Sequence, residues 1–465
     1  MNKSNLSFRQ LLFKKLGPMP LLALSFVLVI LTGSILLWLP ISNNIAPQSY
    51  LDNLFVATSA TCVTGLVPFP VVEQYNRFGQ IVIICLMQIG GLGLMTILFL
   101  VVSLMKHKLM LKEKKLIQDS LSKTDLRDVP KFIRSIVKYT LVFEGIGVIL
   151  FAIRFIPSYG ISEGLFNSIF LSVSAFCNAG LDNMTVSSLA PFVNDPLINF
   201  TVCGLIITGG LGFVVWLDLR NNITAAFKKK CALKKVKQML AVHTKLVLLM
   251  TGSLLAIGTI LIYALEFNNP ATLGPLGEFE KWMAAFFQST TLRTAGFSTV
   301  SIAALKPATQ FIMCIFMFIG GSPGGTAGGI KTTTFAMLFI FIIFILRNDN
   351  HINVMKRDIP RVNFMKAYVV TMMYLSALLI SVLILSITEN LPFLALVFES
   401  FSAIATVGLS MDVTPLLSSI GKVVIILLMF IGRVGPITII VSIFRVGAKQ
   451  KQKEIAYSHG DILIG

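Results

Sequence analysis

The chain of 465 residues is 55% hydrophobic and only 13% charged. That balance excludes an ordinary soluble domain, because apolar runs of about 20 residues recur, each long enough to cross a hydrocarbon core of about 30 Å. The formal net charge of +18 does not mark a nucleic-acid binder, because 31 of the 39 Lys and Arg sit at the two termini and in three loops, near 106–138, 218–245 and 347–366. The intervening loops carry mostly Asp and Glu, which is the positive-inside pattern of a multi-pass membrane protein with both termini in the cytoplasm. The six cysteines form no CxxC and no metal-ligand spacing and read as buried free thiols. The histidines are scattered, and no cluster of acid, base or metal groups suggests a membrane enzyme.

A cytoplasmic segment, 1–19, precedes the run from Pro20 to Pro40. Arg9, Lys14 and Lys15 before that run imitate a signal peptide, but the run is too long for one and lacks a small-residue cleavage site, so it reads as a retained helix, about Leu21 to Leu39. Leu51 to Ser59 is too short to span and reads as re-entrant. A second helix, about Phe78 to Leu104, closes a first unit over 20–105. After a lysine-rich loop, 106–132, a helix from Ile133 to Ile156 carries Glu144. A short segment, Leu165 to Phe170, and a helix from Leu197 to Leu219 complete a second unit by 220. The loop 221–243 holds Lys228, Lys229 and Lys230. The third unit begins near Leu246, has its short segment at Trp282 to Phe287, and its second helix, from Phe311, is interrupted by a glycine-rich stretch over 320–332 before the unit ends at 347. The loop 348–366 leads to Tyr368–Ile387, Leu394–Ser402 and Val423–Phe444 in a fourth unit ending at 445, followed by a tail, 446–465.

A motif accompanies each short segment: Ser59-Ala-Thr-Cys-Val-Thr-Gly65-Leu66, Ser174-Ala-Phe-Cys-Asn-Ala-Gly180-Leu181, Thr290-Thr-Leu-Arg-Thr-Ala-Gly296-Phe297 and Ser402-Ala-Ile-Ala-Thr-Val-Gly408-Leu409. The glycines are 115, 116 and 112 residues apart, with a phenylalanine ten residues before each and a hydroxyl residue six before. One structural unit is therefore used four times. The expected fold is an all-α polytopic membrane protein with eight transmembrane helices and four re-entrant half-helices around a central pore. Irregular backbone at membrane depth must be buried in protein or line a watery cavity. Four such loops on one axis can turn carbonyls inward to replace the hydration shell of an alkali cation, whereas a divalent ion would want carboxylates that these loops lack. The expected selectivity filter comprises Cys62, Val63, Thr64 and Gly65, Asn178, Ala179 and Gly180, Thr294, Ala295 and Gly296, and Thr406, Val407 and Gly408, with an alkali cation at carbonyls around the four glycines.

The second helices also align. Gly90, Gly209, Gly320 and Gly432 follow their filter glycines by 25, 29, 24 and 24 residues, and Arg433 replaces the second glycine of the Gly90-Gly91, Gly209-Gly210 and Gly320-Gly321 pairs. A charge inside a membrane costs at least about 2.5–3.5 kcal/mol on insertion scales and asks for a function. Arg433 reads as a positive barrier below the filter, or alternatively as the partner of Glu144 or Glu399. The stretch with Gly320, Gly321, Gly324, Gly325, Gly328, Gly329 and Lys331 nearly imitates a phosphate-binding loop, but Ile330 separates Gly329 from Lys331 and the setting is an apolar helix.

These motifs resemble the bacterial Trk/Ktr/HKT potassium transporter superfamily, most closely the membrane subunit of Ktr systems, over nearly the whole chain. The resemblance implies a channel-like K⁺ uptake pore in a bacterial plasma membrane, one pore per subunit of a homodimer, controlled by a cytosolic ring that itself binds the nucleotide. It makes the cation at the carbonyls around the four glycines K⁺, and the 320–332 loop with Lys331 and Arg433 a gate. It implies no cofactor on this chain, membrane lipid around it and no nucleic-acid partner. Gly65, where a serine would favour sodium, implies preference for K⁺. A secondary symporter coupling K⁺ to Na⁺ or H⁺ fits the broken helices as well.

Overall fold

The computed structural model describes residues 18–93, 129–185, 187–228, 238–347, 353–355, 357–436 and 438–439. The expected N-terminal segment before residue 18, most of the 106–132 loop, residues 229–237, Lys356 and the tail 446–465 lie outside the described residues. The first unit holds α1 (Pro18–Trp38), α2 (Tyr50–Cys62), a short α3 (Val71–Gln74) and α4 (Arg77–Leu92). The second holds α5 (Val129–Tyr159), α6 (Ile161–Cys177), α7 (Pro196–Gly210) and α8 (Phe213–Lys228). The third holds α9 (Val242–Glu266), α10 (Glu278–Thr291), α11 (Pro307–Phe318) and α12 (Thr332–Arg347), and the fourth α13 (Arg361–Thr388), α14 (Phe393–Ala405) and α15 (Ser419–Val434). The basic loop between the last two units carries a two-residue antiparallel pair, β1 (Asn353–Val354) with β2 (Arg357–Asp358).

The first helices, α1, α5, α9 and α13, are long and apolar enough to cross a membrane. Their outward faces confirm a lipid-facing position: Leu28, Ile149, Ile260 and Leu383 are each more than half exposed, an arrangement that water would not tolerate in such number. The half-helices α2, α6, α10 and α14 are the buried elements, and Phe55, Phe170 and Phe398 within them are fully enclosed. Ser49 caps α2 by accepting from the Asp52 N–H, and Asp195 caps α7 by accepting from Leu197 and Ile198.

The second helices depart from expectation. The interruption is not confined to the third unit. α4 ends at Gly93 and α15 at Gly435, both with positive φ. Beyond Gly93, the expected continuation to Leu104 lies outside the described residues. The continuous helix expected from Leu197 to Leu219 is instead two pieces, α7 and α8, bent by 94° at Leu211–Gly212. Gly212, at φ 92°, makes the corner, and an apolar-run reading cannot see a bend inside an unbroken apolar sequence.

Packing closes the four units into a ring. Each first helix lies against its own half-helix, as in α1 on α2 and α5 on α6. Each second helix lies against the half-helix of the next unit: α4 on α6, α7 on α10, α11 on α14, and α15 back on α2. On the filter-loop side, the closure between the fourth and first units carries an ion pair, Lys422 Nζ to Asp52 Oδ1 at 2.6 Å.

Candidate functional site

Each filter loop carries one backbone signature. The residues two before the glycines, Val63, Asn178, Thr294 and Thr406, have φ of 57°, 61°, 66° and 53°, and the glycines themselves have φ of 106°, 69°, 82° and 92°. Val63, Asn178 and Thr406 are left-handed caps that end α2, α6 and α14. The next N–H in each case returns to the helix, Thr64 to Ser59 O, Ala179 to Ser174 O and Val407 to Ser402 O, each at 2.8 Å. In the third loop α10 has no such cap, and the left-handed residue, Thr294, comes two residues after its C-cap Leu292.

The glycines meet around one axis. A Cβ added to Gly65 would lie 2.7 Å from the Ala179 carbonyl oxygen, one on Gly180 2.6 Å from that of Ala295, and one on Gly296 2.8 Å from that of Val407. One on Gly408 would run into the carbonyl oxygen of Thr64. Each oxygen belongs to the residue just before the glycine of the next loop, so the contacts pass from loop one to two, three, four and back to one. Glycine is required at these positions twice over, by positive φ and by the carbonyl across the joint. The hydroxyl residues fix the loops from behind. Ser59 Oγ accepts from Gly65 N and Ser402 Oγ from Gly408 N, both at 3.0 Å, and Ser174 Oγ accepts from Leu181 N at 3.0 Å. In the third loop Thr291, not Thr290, does this work, donating to Phe297 O at 2.7 Å, while Thr290 bonds back to Phe286 O.

The second-helix glycines are supports for these loops. Gly90, Gly209 and Gly432 abut the carbonyls of Thr61, Phe176 and Ile404, each four residues before the filter glycine of its own unit. In the third unit Gly320 instead abuts Gly328 O, within the interrupting loop. That loop closes on itself through a parallel bridge, Ile319 beside Ile330: Gly320 N donates to Ile330 O at 2.9 Å and Thr332 N to Gly321 O at 3.0 Å. It is bolted to the break in the second unit, with Ser322 N to Gly210 O at 2.9 Å, Thr326 N to Gly209 O at 3.2 Å and Phe213 N to Gly324 O at 3.0 Å. Gly325 packs on Gly209 O, and Gly328 and Gly329 pack on Thr406 and Ala405 of the fourth filter loop. Lys331 Nζ donates to Ala327 O at 2.7 Å, inside the loop.

Arg433 reaches the same loop. Its guanidinium donates to Thr326 O, to Gly90 O and, at 3.3 Å, to Gly91 O. It therefore joins three units at one point, resting on the partially negative C-terminal end of α4. The carboxylate partnership is not formed: Glu144 accepts from Gln88 Nε2 at 3.1 Å, and Glu399 accepts from Thr414. Two further connections escape sequence reasoning. Thr326 Oγ1 lies 3.1 Å from both Phe176 O and Asn178 Oδ1, tying the interrupting loop to the second of the expected filter loops. Arg293, in the third loop, is buried with Nε and Nη2 lacking partners. The first has no signal beyond two polar residues in small-residue stretches; the second was visible as a charge where the other loops have Cys62, Cys177 and Ala405.

On one side of the ring opens a cavity of about 420 Å³ whose floor is the four glycines and whose wall includes Asp182 and Asp412. Burial pushes the Asp182 pKa up to about 6, against the opposing effect of the Thr185 and Met184 N–H groups that hold its carboxylate. Among the described residues no group of His, Cys, Asp and Glu could hold a resident metal.

Comparison with known proteins places this architecture. Residues 20–452 match the TrkH family model, described as a cation transport protein. The chain is 40% identical to the Ktr system potassium uptake protein B of Bacillus subtilis (strain 168), over 96% of this chain and 97% of that one. It is 36% identical to the protein of the same description from Vibrio alginolyticus, over 97% and 95% of the two chains. It is also 36% identical to the potassium/sodium uptake protein NtpJ of Enterococcus hirae, over 97% and 98%. The crystal structure of the potassium transporter TrkH from Vibrio parahaemolyticus superposes with a TM-score of 0.70 at 17% identity, covering 95% of this chain and 86% of that one. At that identity the match speaks for the fold.

Proposed function

The chain belongs to the TrkH family of cation transport proteins, and from that premise we propose that it is a potassium-selective, channel-like uptake pore of a bacterial plasma membrane. The observation that carries this reading is the closed ring in which each filter glycine abuts the carbonyl of the next loop. A dehydrated cation on the axis would be coordinated by main-chain oxygens of four non-identical loops. The C-terminal ends of the half-helices add partial negative charge at the same place. The site residues expected from sequence, from Cys62–Gly65 through Thr406–Gly408, supply that backbone. In this reading the cavity with Asp182 and Asp412 is the extracellular mouth, and the basic loops and both termini lie on the cytoplasmic side.

Below the ring, the 320–332 loop and Arg433 form the gate. A K⁺ approaching to 4 Å of the guanidinium meets a repulsion of about 4 kcal/mol at an effective dielectric constant of 20. Opening requires the loop to leave its bonds to Gly209, Gly210 and Phe213. The relatives are named as parts of a Ktr system, which supports a second subunit; in this reading it is a cytosolic nucleotide-binding ring docked on the basic loops of a homodimer. A second reading, coupling of K⁺ to Na⁺ or H⁺, draws on the buried Glu144, whose Oε1 has no partner. The test is K⁺ flux in proteoliposomes with and without the cytosolic subunit. A reversal potential that follows the K⁺ gradient alone supports the pore, and one displaced by Na⁺ or H⁺ gradients supports the symporter.

A further inference from the structure

Outside the pore, a slot of about 600 Å³ runs between α5 and α7 on the outer surface of the second unit. Phe143, Ile146 and Leu150 form one wall, Leu197 and Phe200 the other, and Gly147 and Gly204 the floor. From Pro196 to Thr208 along α7 it extends about 18 Å at a rise of about 1.5 Å per residue. That is close to one leaflet's share of a hydrocarbon core of about 30 Å.

The slot presents carbon. Thr208 Oγ1 is turned back to Leu205 O at 2.9 Å, and Thr208 O is taken by Trp216 Nε1 at 2.9 Å. Around it Ile146, Ile149, Ile153 and Phe200 are about half exposed or more, so hydrocarbon is the surrounding solvent. At its Pro196 end stands Arg154, bound to Asp195 at 2.8 Å through one nitrogen and still half-exposed. A guanidinium with donors to spare at the rim of an apolar slot matches a phosphate headgroup above an acyl chain.

We propose that this slot binds one acyl chain of a phospholipid whose headgroup phosphate is met by Arg154. The occupant would touch more than the surface. Phe143, in the wall, stacks on Phe176 with ring centroids 6.0 Å apart and leans on Trp216 at 5.0 Å. Phe176 lies in the last turn of α6, just before the second filter loop, and its carbonyl accepts from Thr326 of the gate loop. The site thus connects the bilayer to filter and gate through three packed aromatic rings.

The experiment uses the full chain reconstituted with a phosphatidylglycerol carrying a diazirine in its acyl chain, followed by peptide mapping. Labelling is expected to concentrate in 143–150 and 197–208, several-fold above that at Leu379 and Leu383, which are lipid-facing residues of α13. Gly204→Phe fills the slot, and since nothing lies within 4 Å of a Cβ at Gly204, the backbone packing is untouched. It is expected to bring slot labelling down to the α13 level, with Gly204→Leu as a smaller second variant. Arg154→Gln is expected to reduce labelling by the phosphate-bearing probe but not by a diazirine fatty alcohol. Equal labelling of slot and α13 in the wild type, or undiminished labelling in both Gly204 variants, overturns the proposal. So does dissociation of a wild-type dimer by those variants, which would make the slot a subunit contact. Labelling is read without ion flux, so its failure leaves the pore reading intact.

Discussion

Replacing Gly65 with serine adds a Cβ where φ is 106°, 2.7 Å from Ala179 O and 3.2 Å from the Cα atoms of Gly180 and Gly408. Real Cβ atoms essentially never approach within about 3.0 Å of such neighbours. All three neighbours are main chain, with no flexible side-chain end to swing aside, so the ring must widen or the residue must leave its conformation. Backbone strain of this kind is worth about 1–3 kcal/mol. Discrimination between K⁺ and Na⁺ depends on how well a set of carbonyls replaces each hydration shell. Misfit of about 1.4 kcal/mol changes relative affinity about tenfold. Gly65→Ser is therefore expected to lower K⁺ preference over Na⁺ by about an order of magnitude. The assay is K⁺ uptake into proteoliposomes under Na⁺ competition, with Gly145→Ser as control, since a Cβ there meets nothing within 4 Å. An unchanged Na⁺ inhibition curve at normal protein level would refute the filter assignment, whereas loss of protein from the membrane would place the glycine in folding alone.

Three further outcomes are expected. Arg433→Ala removes the donors that hold Thr326, Gly90 and Gly91 together; flux should rise and depend less on the cytosolic subunit. Because deletion of Ser322 to Gly328 acts on the same constriction, the combined effect should be less than additive, and lower flux in both variants at normal level would assign Arg433 and the loop to structure. Asp182 is charged above its raised pKa of about 6 and neutral below it; cation uptake at limiting K⁺ should fall as external pH falls through about 6, and Asp182→Asn should flatten that limb, a pH profile identical to wild type being the contrary result. Charge reversal at Lys356, Arg357 and Arg361 should abolish co-purification of the cytosolic subunit while leaving membrane insertion intact, and normal co-purification would remove this loop from the interface.

The repeat was legible because it is written in residue identity at fixed offsets. Four glycines with a hydroxyl residue six before each can be counted without coordinates, and the identities answer local demands: positive φ for every glycine, and a backbone clamp for the hydroxyl in the first, second and fourth loops. The bend between α7 and α8 and the helix ends at Gly93 and Gly435 were not legible, because hydropathy continues across them and a glycine in an apolar helix is ordinarily tolerated. The shift from Thr290 to Thr291 was also hidden. Two adjacent threonines offer the same chemistry, and the delayed left-handed residue in the third loop decides between them. Arg433 was legible as a charge in the membrane, but not its partners: main-chain carbonyls carry no sequence signature, so a search for opposite charge pointed to Glu144 and Glu399.

The departures from fourfold symmetry have a common location. The glycine ring keeps the repeat most closely. Immediately beneath it every unit differs: α4 ends on carbonyls that accept from Arg433, α7 turns by 94° into α8, the third helix is interrupted by a loop, and α15 supplies the guanidinium. These are complementary differences. The corner at Gly212 frees Gly209 and Gly210 carbonyls to receive Ser322 and Thr326, and the carbonyl of Thr326 in turn receives Arg433. One bent helix, one interrupting loop and one arginine thus meet beneath the glycine ring, where the glycines of all four second helices already admit close approach of main chain.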